Sequence, residues 1–194
     1  MENSSKKNNV KRLVVSAMFI AISIALNELL KFDLTFIQGG SVTAFSMVPI
    51  ALIGWVWGAK WGFVTGATMG LLDMLIGGLS NFSWVSGILA YITLILFDYV
   101  VAYGCAGLAG IFRNKIKNNA VAFALGAALA CFLRFICHFV TGITIWADYS
   151  ENIWAVIIGS VTYNGAYMLP ELIITIIGCI AVVEVKPLMK MLER

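Results

Sequence analysis

Charge is what this sequence has least of: only 12% of its 194 residues are Asp, Glu, Lys or Arg, where a soluble domain carries about 25%. That shortage excludes an ordinary water-facing surface. The net charge of +3 does not describe a basic protein either, because the cations cluster between apolar runs. Nucleic-acid binding is a poor reading of such a pattern. There is one histidine, His138, so a multi-histidine metal site is excluded. The four cysteines, Cys105, Cys131, Cys137 and Cys179, form no CxxC pair and lie inside apolar runs. They read as small packing residues rather than as zinc or redox ligands.

Motifs are missing too. No G-x-x-x-x-G-K-[ST] occurs, so the chain holds no P-loop for ATP. No G-x-S-x-G and no H-E-x-x-H occurs, so the usual hydrolase signatures are absent. Any uphill transport must therefore draw energy from a partner or an ion gradient. No cleavable leader is expected, because the first apolar run is long and leads into further membrane segments.

What is present is apolar length. Hydrophobic residues make up 61% of the chain and the mean hydropathy is +0.93. Crossing a bilayer takes about 20 apolar residues in a helix. Six stretches meet or approach that length: 13–30, 42–57, 61–79, 84–112, 120–145 and 153–183. The second is short and the sixth long enough to tilt or to extend beyond the bilayer. The expectation is an all-α integral membrane protein, one compact bundle of six transmembrane helices spanning 1–194, with a polar tail at 1–11.

Charge placement sets the expected orientation. Lys6, Lys7, Lys11 and Arg12 precede the first stretch, and Lys60 follows the second. Arg113, Lys115 and Lys117 follow the fourth, and Lys186, Lys190 and Arg194 follow the sixth. The remaining connections carry only Lys31 as a cation, with Asp33, Asp148 and Glu151. Basic residues stay on the cytoplasmic side, so both termini are expected inside, which requires an even number of crossings. Glycines within the stretches, among them Gly62, Gly66, Gly70, Gly77, Gly78, Gly107 and Gly126, predict close helix contacts.

Ionisable groups within membrane segments are costly and point to function. Here they are Glu28, Asp73, Asp98, Arg134, His138 and Glu171. Counting depth along alternating helices brings Asp98, His138 and Asn164 together in the outer half. Trp84, Trp146, Tyr149 and Tyr163 lie nearby. A carboxylate among aromatics, beside an amide and an imidazole, suits a flat organic cation. Bland readings stand beside this one. Trp84 is equally an interfacial anchor, Arg134 pairs with Asp98 or another buried acid, and Asp73 and Glu28 are solvated near the outer surface. Glu171 serves structure or assembly. Ala17, Ala21 and Ala25 make a smooth strip for an internal or an external helix contact.

Four stretches carry a family resemblance: QGGSVTAFSMVPI at 38–50, FDYVVAYG at 97–104, LRFICHFVTGITIW at 133–146 and SVTYNGAYMLPE at 160–171. In this order on six helices they resemble the thiamine-specific substrate-binding component, or S component, of energy-coupling factor vitamin transporters. The resemblance implies a non-enzymatic six-helix protein that binds thiamine from outside with high affinity and needs no cofactor. It implies docking to a transmembrane coupling protein and two cytosolic ATPases, with Ala17 and Ala21 in the contact. The implied thiamine-binding residues are Asp98, Tyr99, His138, Trp146 and Asn164. Tyr163 joins them as replacement aromatic surface. Some members carry glutamate at the position of Asp98, tryptophan at that of Gly40 and tyrosine at that of Gly159. An S component for another vitamin or precursor, a proton-coupled secondary transporter using Asp98, Arg134 and His138, and a membrane enzyme are the competing readings.

Overall fold

The computed structural model describes residues 2–33, 40–147 and 152–193, and for residues 2–7, 33 and 193 it describes the backbone. Helix α1, Glu2–Leu29, runs straight through the polar tail into the first apolar stretch. A short antiparallel pair follows, β1 (Lys31–Asp33) with β2 (Ser41–Thr43), in the register Lys31↔Thr43. Helix α2 is Val48–Trp57 and α3 is Ala59–Ile76, which turns by 69° at Gly77 into a 3-10 segment, Gly78–Trp84. Helix α4 is Ile88–Phe112, α5 Asn119–Thr144, α6 Ile153–Val183 and α7 Lys186–Glu193.

Four of these helices are long and apolar enough to cross a membrane, and five if the bent α3 pair counts as one span. The second expected stretch is the one the structure reshapes. Only Val48–Trp57 is helical, and ten residues rise about 15 Å, half of the hydrocarbon core. Its start is set by Phe45, in the left-handed region at φ 63°, and by Pro49 in the first turn. Its residues Val48 to Trp55 are buried throughout. In the chain before it Val42, Thr43, Ser46 and Met47 are buried as well, while Phe45 is exposed. That segment therefore supplies interior surface where a longer helix was expected. The β pair and the terminal α7 also lie outside the all-helical, six-segment expectation.

Helix starts follow local chemistry. Asn118 accepts from Val121 N at 3.1 Å and Asn152 accepts from Ala155 N at 3.0 Å, each capping the helix it precedes. The glycine expectation holds where two backbones touch. A Cβ on Gly107 would overlap the backbone of Gly62, and one on Gly62 would overlap that of Gly107. Gly77 differs: nothing lies within 4 Å of its added Cβ, and it marks the bend of α3.

Helices α1 and α7 meet at one end of the bundle. Lys11 Nζ donates to the carbonyls of Met191 and Leu192 at 3.1 and 3.2 Å. The Arg12 guanidinium lies over Trp57 and Trp61. Arg113 donates to Trp55 O and Val56 O at 2.7 and 2.9 Å, satisfying carbonyls that the end of α2 leaves without partners. Stacked beneath it, Trp55 packs on Phe123 at 4.7 Å between centroids.

Candidate functional site

At the opposite end, the last turn of α1 and the facing ends of α5 and α6 surround a cavity of about 1030 Å3. This is the upper edge of the range for small-molecule sites, roughly 300–1,000 Å3. Its wall includes all six of the proposed substrate-site residues, Asp98, Tyr99, His138, Trp146, Tyr163 and Asn164. Ala17 and Ala21 are not part of it and lie on the exposed face of α1.

Asp98 sits in a π-helical turn, Leu94–Val100, within α4. Such turns widen a helix by one residue and recur at functional sites. Its carboxylate collects three donors. Oδ1 faces His138 Nδ1 at 3.0 Å and accepts from Thr141 Oγ1 at 2.6 Å, while Oδ2 accepts from Trp146 Nε1 at 3.1 Å. A carboxylate has about four lone-pair sites, so capacity for one more donor remains.

Arg134, one turn before His138 on α5, fixes the imidazole. Its Nε donates to His138 Nε2 at 3.3 Å. Arginine has no acceptor, so Nε2 must accept, the proton sits on Nδ1, and that N–H points to Asp98. Among the described residues, the direct pairing of Arg134 with an acid expected from the sequence does not form. Its guanidinium lies instead over Tyr103, 4.6 Å from the ring centroid, and is buried.

Asn164 joins α6 to α5. Its Nδ2 donates to Ser160 O at 2.9 Å and to His138 O at 3.3 Å, and its Oδ1 accepts from Tyr167 at 2.7 Å. The amide is thus committed to the helix contact in this structure. Tyr163 is 39% exposed and stands edge-on to Tyr167. Tyr99 is buried, and its hydroxyl accepts from Asn81 at 2.8 Å and donates to Gly78 O at 3.2 Å. It fastens the 3-10 segment to α4 and lends its surface to the wall. Trp84 is 79% exposed at the rim. Tyr149, Asp148, Glu151, Gln38 and Gly39 lie outside the described residues.

Several wall residues escaped the sequence reading. Tyr167 is one, although it stands three residues after Asn164 and four after Tyr163, on the same helix face. Asp73, read as a solvated acid, instead accepts from Asn27 at 2.8 Å and from Tyr103 at 2.6 Å. These partners come from α1 and α4, so no local pattern announces them. Glu171 is buried and accepts from Thr43 N at 2.8 Å and from Thr43 Oγ1 at 3.0 Å, which ties β2 to α6. This is the structural role that was open to it. Among the described residues, no group of three or more His, Cys, Asp or Glu is placed to hold a metal.

Apolar helices of membrane length around a polar, carboxylate-bearing cavity define a multi-pass membrane protein with a small-molecule site. The chain belongs to the thiamine transporter protein family, whose model matches residues 13–191. It is 31% identical to the thiamine transporter ThiT of Bacillus subtilis over 97% of both chains. It is 26% identical to ThiT of Lacticaseibacillus paracasei, covering 74% of this chain and 73% of that one. The solved structure of ThiT from Listeria monocytogenes superposes with a TM-score of 0.73 at 20% identity, over 94% of this chain and 98% of that chain, and shares the fold. The family is one of non-enzymatic transport proteins.

Proposed function

We propose that this chain is the thiamine-binding S component of an energy-coupling factor importer in a bacterial plasma membrane. Asp98 carries the reading. It is a carboxylate in a cavity wall, held in place by His138, Thr141 and Trp146, with acceptor capacity to spare. Thiamine is an organic cation made of two flat rings joined by a methylene, an aminopyrimidine and a thiazolium. Asp98 balances the thiazolium charge or accepts from the aminopyrimidine, and Trp146, Tyr163 and Tyr99 offer ring surface. His138 and Asn164 contribute polar edges, and Asn164 exchanges an internal bond to do so.

The domain is a single bundle of six helices over 1–194, the short α2 included, with both termini cytoplasmic. The contact between Lys11 and the C-terminal helix supports that arrangement, since ends that meet imply an even number of crossings. The cavity at the opposite end then faces outward. High-affinity capture occurs there. Transport needs a transmembrane coupling protein and two cytosolic ATPases, and Ala17 and Ala21 on the exposed side of α1 form part of the docking face.

Reconstitution separates this reading from proton-coupled transport, which the Arg134–His138–Asp98 chain would also suit. Vesicles holding this chain alone should bind thiamine and accumulate none. Accumulation driven by a proton gradient without partners would establish the secondary transporter instead.

A further inference from the structure

Most of the cavity wall is filled by side chains that already have partners, but α6 has one bare position. Gly159 lines the cavity and is exposed to it, and an added Cβ would have nothing within 4 Å. Of the other wall glycines, Gly77 is also open but marks the bend of α3, while two behave differently. A Cβ on Gly142 would collide with Ser160, and one on Gly78 with the Tyr99 hydroxyl. Those two glycines permit packing, whereas Gly159 leaves space. One turn before it stands Ala155 and one turn after it Tyr163, both also on the wall. The result is a recess on α6, small-sided over the turn from Ala155 to Gly159 and floored by backbone, beside the Tyr163 ring.

We propose that Gly159 is a specificity-determining residue: the recess it leaves on α6 admits ligands bulkier than thiamine on the ring that faces this helix. The inference rests on the thiamine reading above. Asp98 faces the cavity from α4 and Gly159 from α6; where Asp98 balances the thiazolium charge, the aminopyrimidine is the ring left to reach α6, and substituents on it enter the recess. A hydrophobic pocket cannot strongly reject a ligand for added bulk unless a side chain stands in the way. Here none does. The ligand class is therefore thiamine together with pyrimidine-substituted thiamine-like cations.

The test is a pair of titrations, followed by tryptophan fluorescence, with thiamine and with its homologue carrying propyl in place of the pyrimidine methyl. They are made on purified wild type and on Gly159→Ala, Gly159→Leu and Gly159→Phe. The wild type should bind both ligands within about tenfold of each other. The ratio of the two dissociation constants should rise with side-chain volume, reaching about tenfold or more above wild type through loss of the homologue. Should the Phe variant fail to fold, the Ala and Leu variants still carry the trend. A ratio constant within about twofold across the folded variants, or parallel loss of both ligands, overturns the proposal while leaving thiamine binding standing. A wild type that binds neither ligand overturns the thiamine reading and this one with it.

Discussion

At the scale of the residue, the site is a carboxylate whose neighbours are spent on holding it. Asp98 draws on His138, Thr141 and Trp146, and His138 in turn is fixed by Arg134. Replacing Asp98 by Asn removes the charge and turns one acceptor into a donor facing donors. Hydrogen bonds to charged groups contribute about 1.5–3 kcal/mol, so thiamine affinity should fall by roughly 10- to 100-fold. Unchanged affinity in a titration of the variant would remove Asp98 from the site. Asn164 predicts a different pattern. Its amide joins α5 to α6, so Asn164→Ala should lower the melting temperature as well as the affinity. An effect on affinity alone would mean that the ligand, not the helix contact, is its main partner. The sequence made these residues legible because depth along a helix and i, i+4 spacing are simple arithmetic. Asp73 was misread for the complementary reason: its partners Asn27 and Tyr103 lie 46 and 30 positions away, on other helices.

At the scale of the element, long apolar helices were easiest to foresee. Helix α6 spans 153–183 as its apolar run does, and α5 differs from its run by one residue at each end. What apolar length does not encode is how backbone departs from a helix inside the bundle. The π turn at Asp98 and the bend at Gly77 leave no mark in apolar length, and the start of α2 is set by Phe45 and Pro49 rather than by where the apolar run begins. Glu171 shows how one of these departures is held, since both of its oxygens accept from Thr43. Glu171→Ala strands the buried N–H of Thr43, whose hydroxyl keeps Ser46 as a partner at 2.6 Å, and a group left without a partner costs about 1–3 kcal/mol. Detergent-purified variant should melt measurably below wild type, and an unchanged melt would show that β2 is held by other contacts. Backbone crossings give a sharper comparison. Gly107→Ala should destabilise by about 1–3 kcal/mol, because its Cβ would overlap Gly62. Gly165→Ala, with nothing within 4 Å of its added Cβ, should be neutral or slightly stabilising. Equal melting of the two variants would contradict the close crossing of α3 and α4.

For the whole molecule, the two ends of the bundle divide the work. One end gathers Lys11 with α7, Arg12 with its tryptophans and Arg113, and the other opens as the cavity. Composition and charge placement announced a membrane bundle with ends of unlike charge, but the cavity itself arises only when separate helices converge. If α1 docks on the coupling protein, bulky residues at Ala17 and Ala21 should abolish uptake by the assembled transporter while leaving thiamine binding intact. Loss of binding in those variants would place the strip inside the bundle's own packing. The most direct measurement of the central claim is titration of the purified chain with thiamine, followed by tryptophan fluorescence, without ATP or sodium. The account predicts saturable quenching that Asp98→Asn weakens strongly. No response to thiamine, together with tight binding of a different compound, would contradict it.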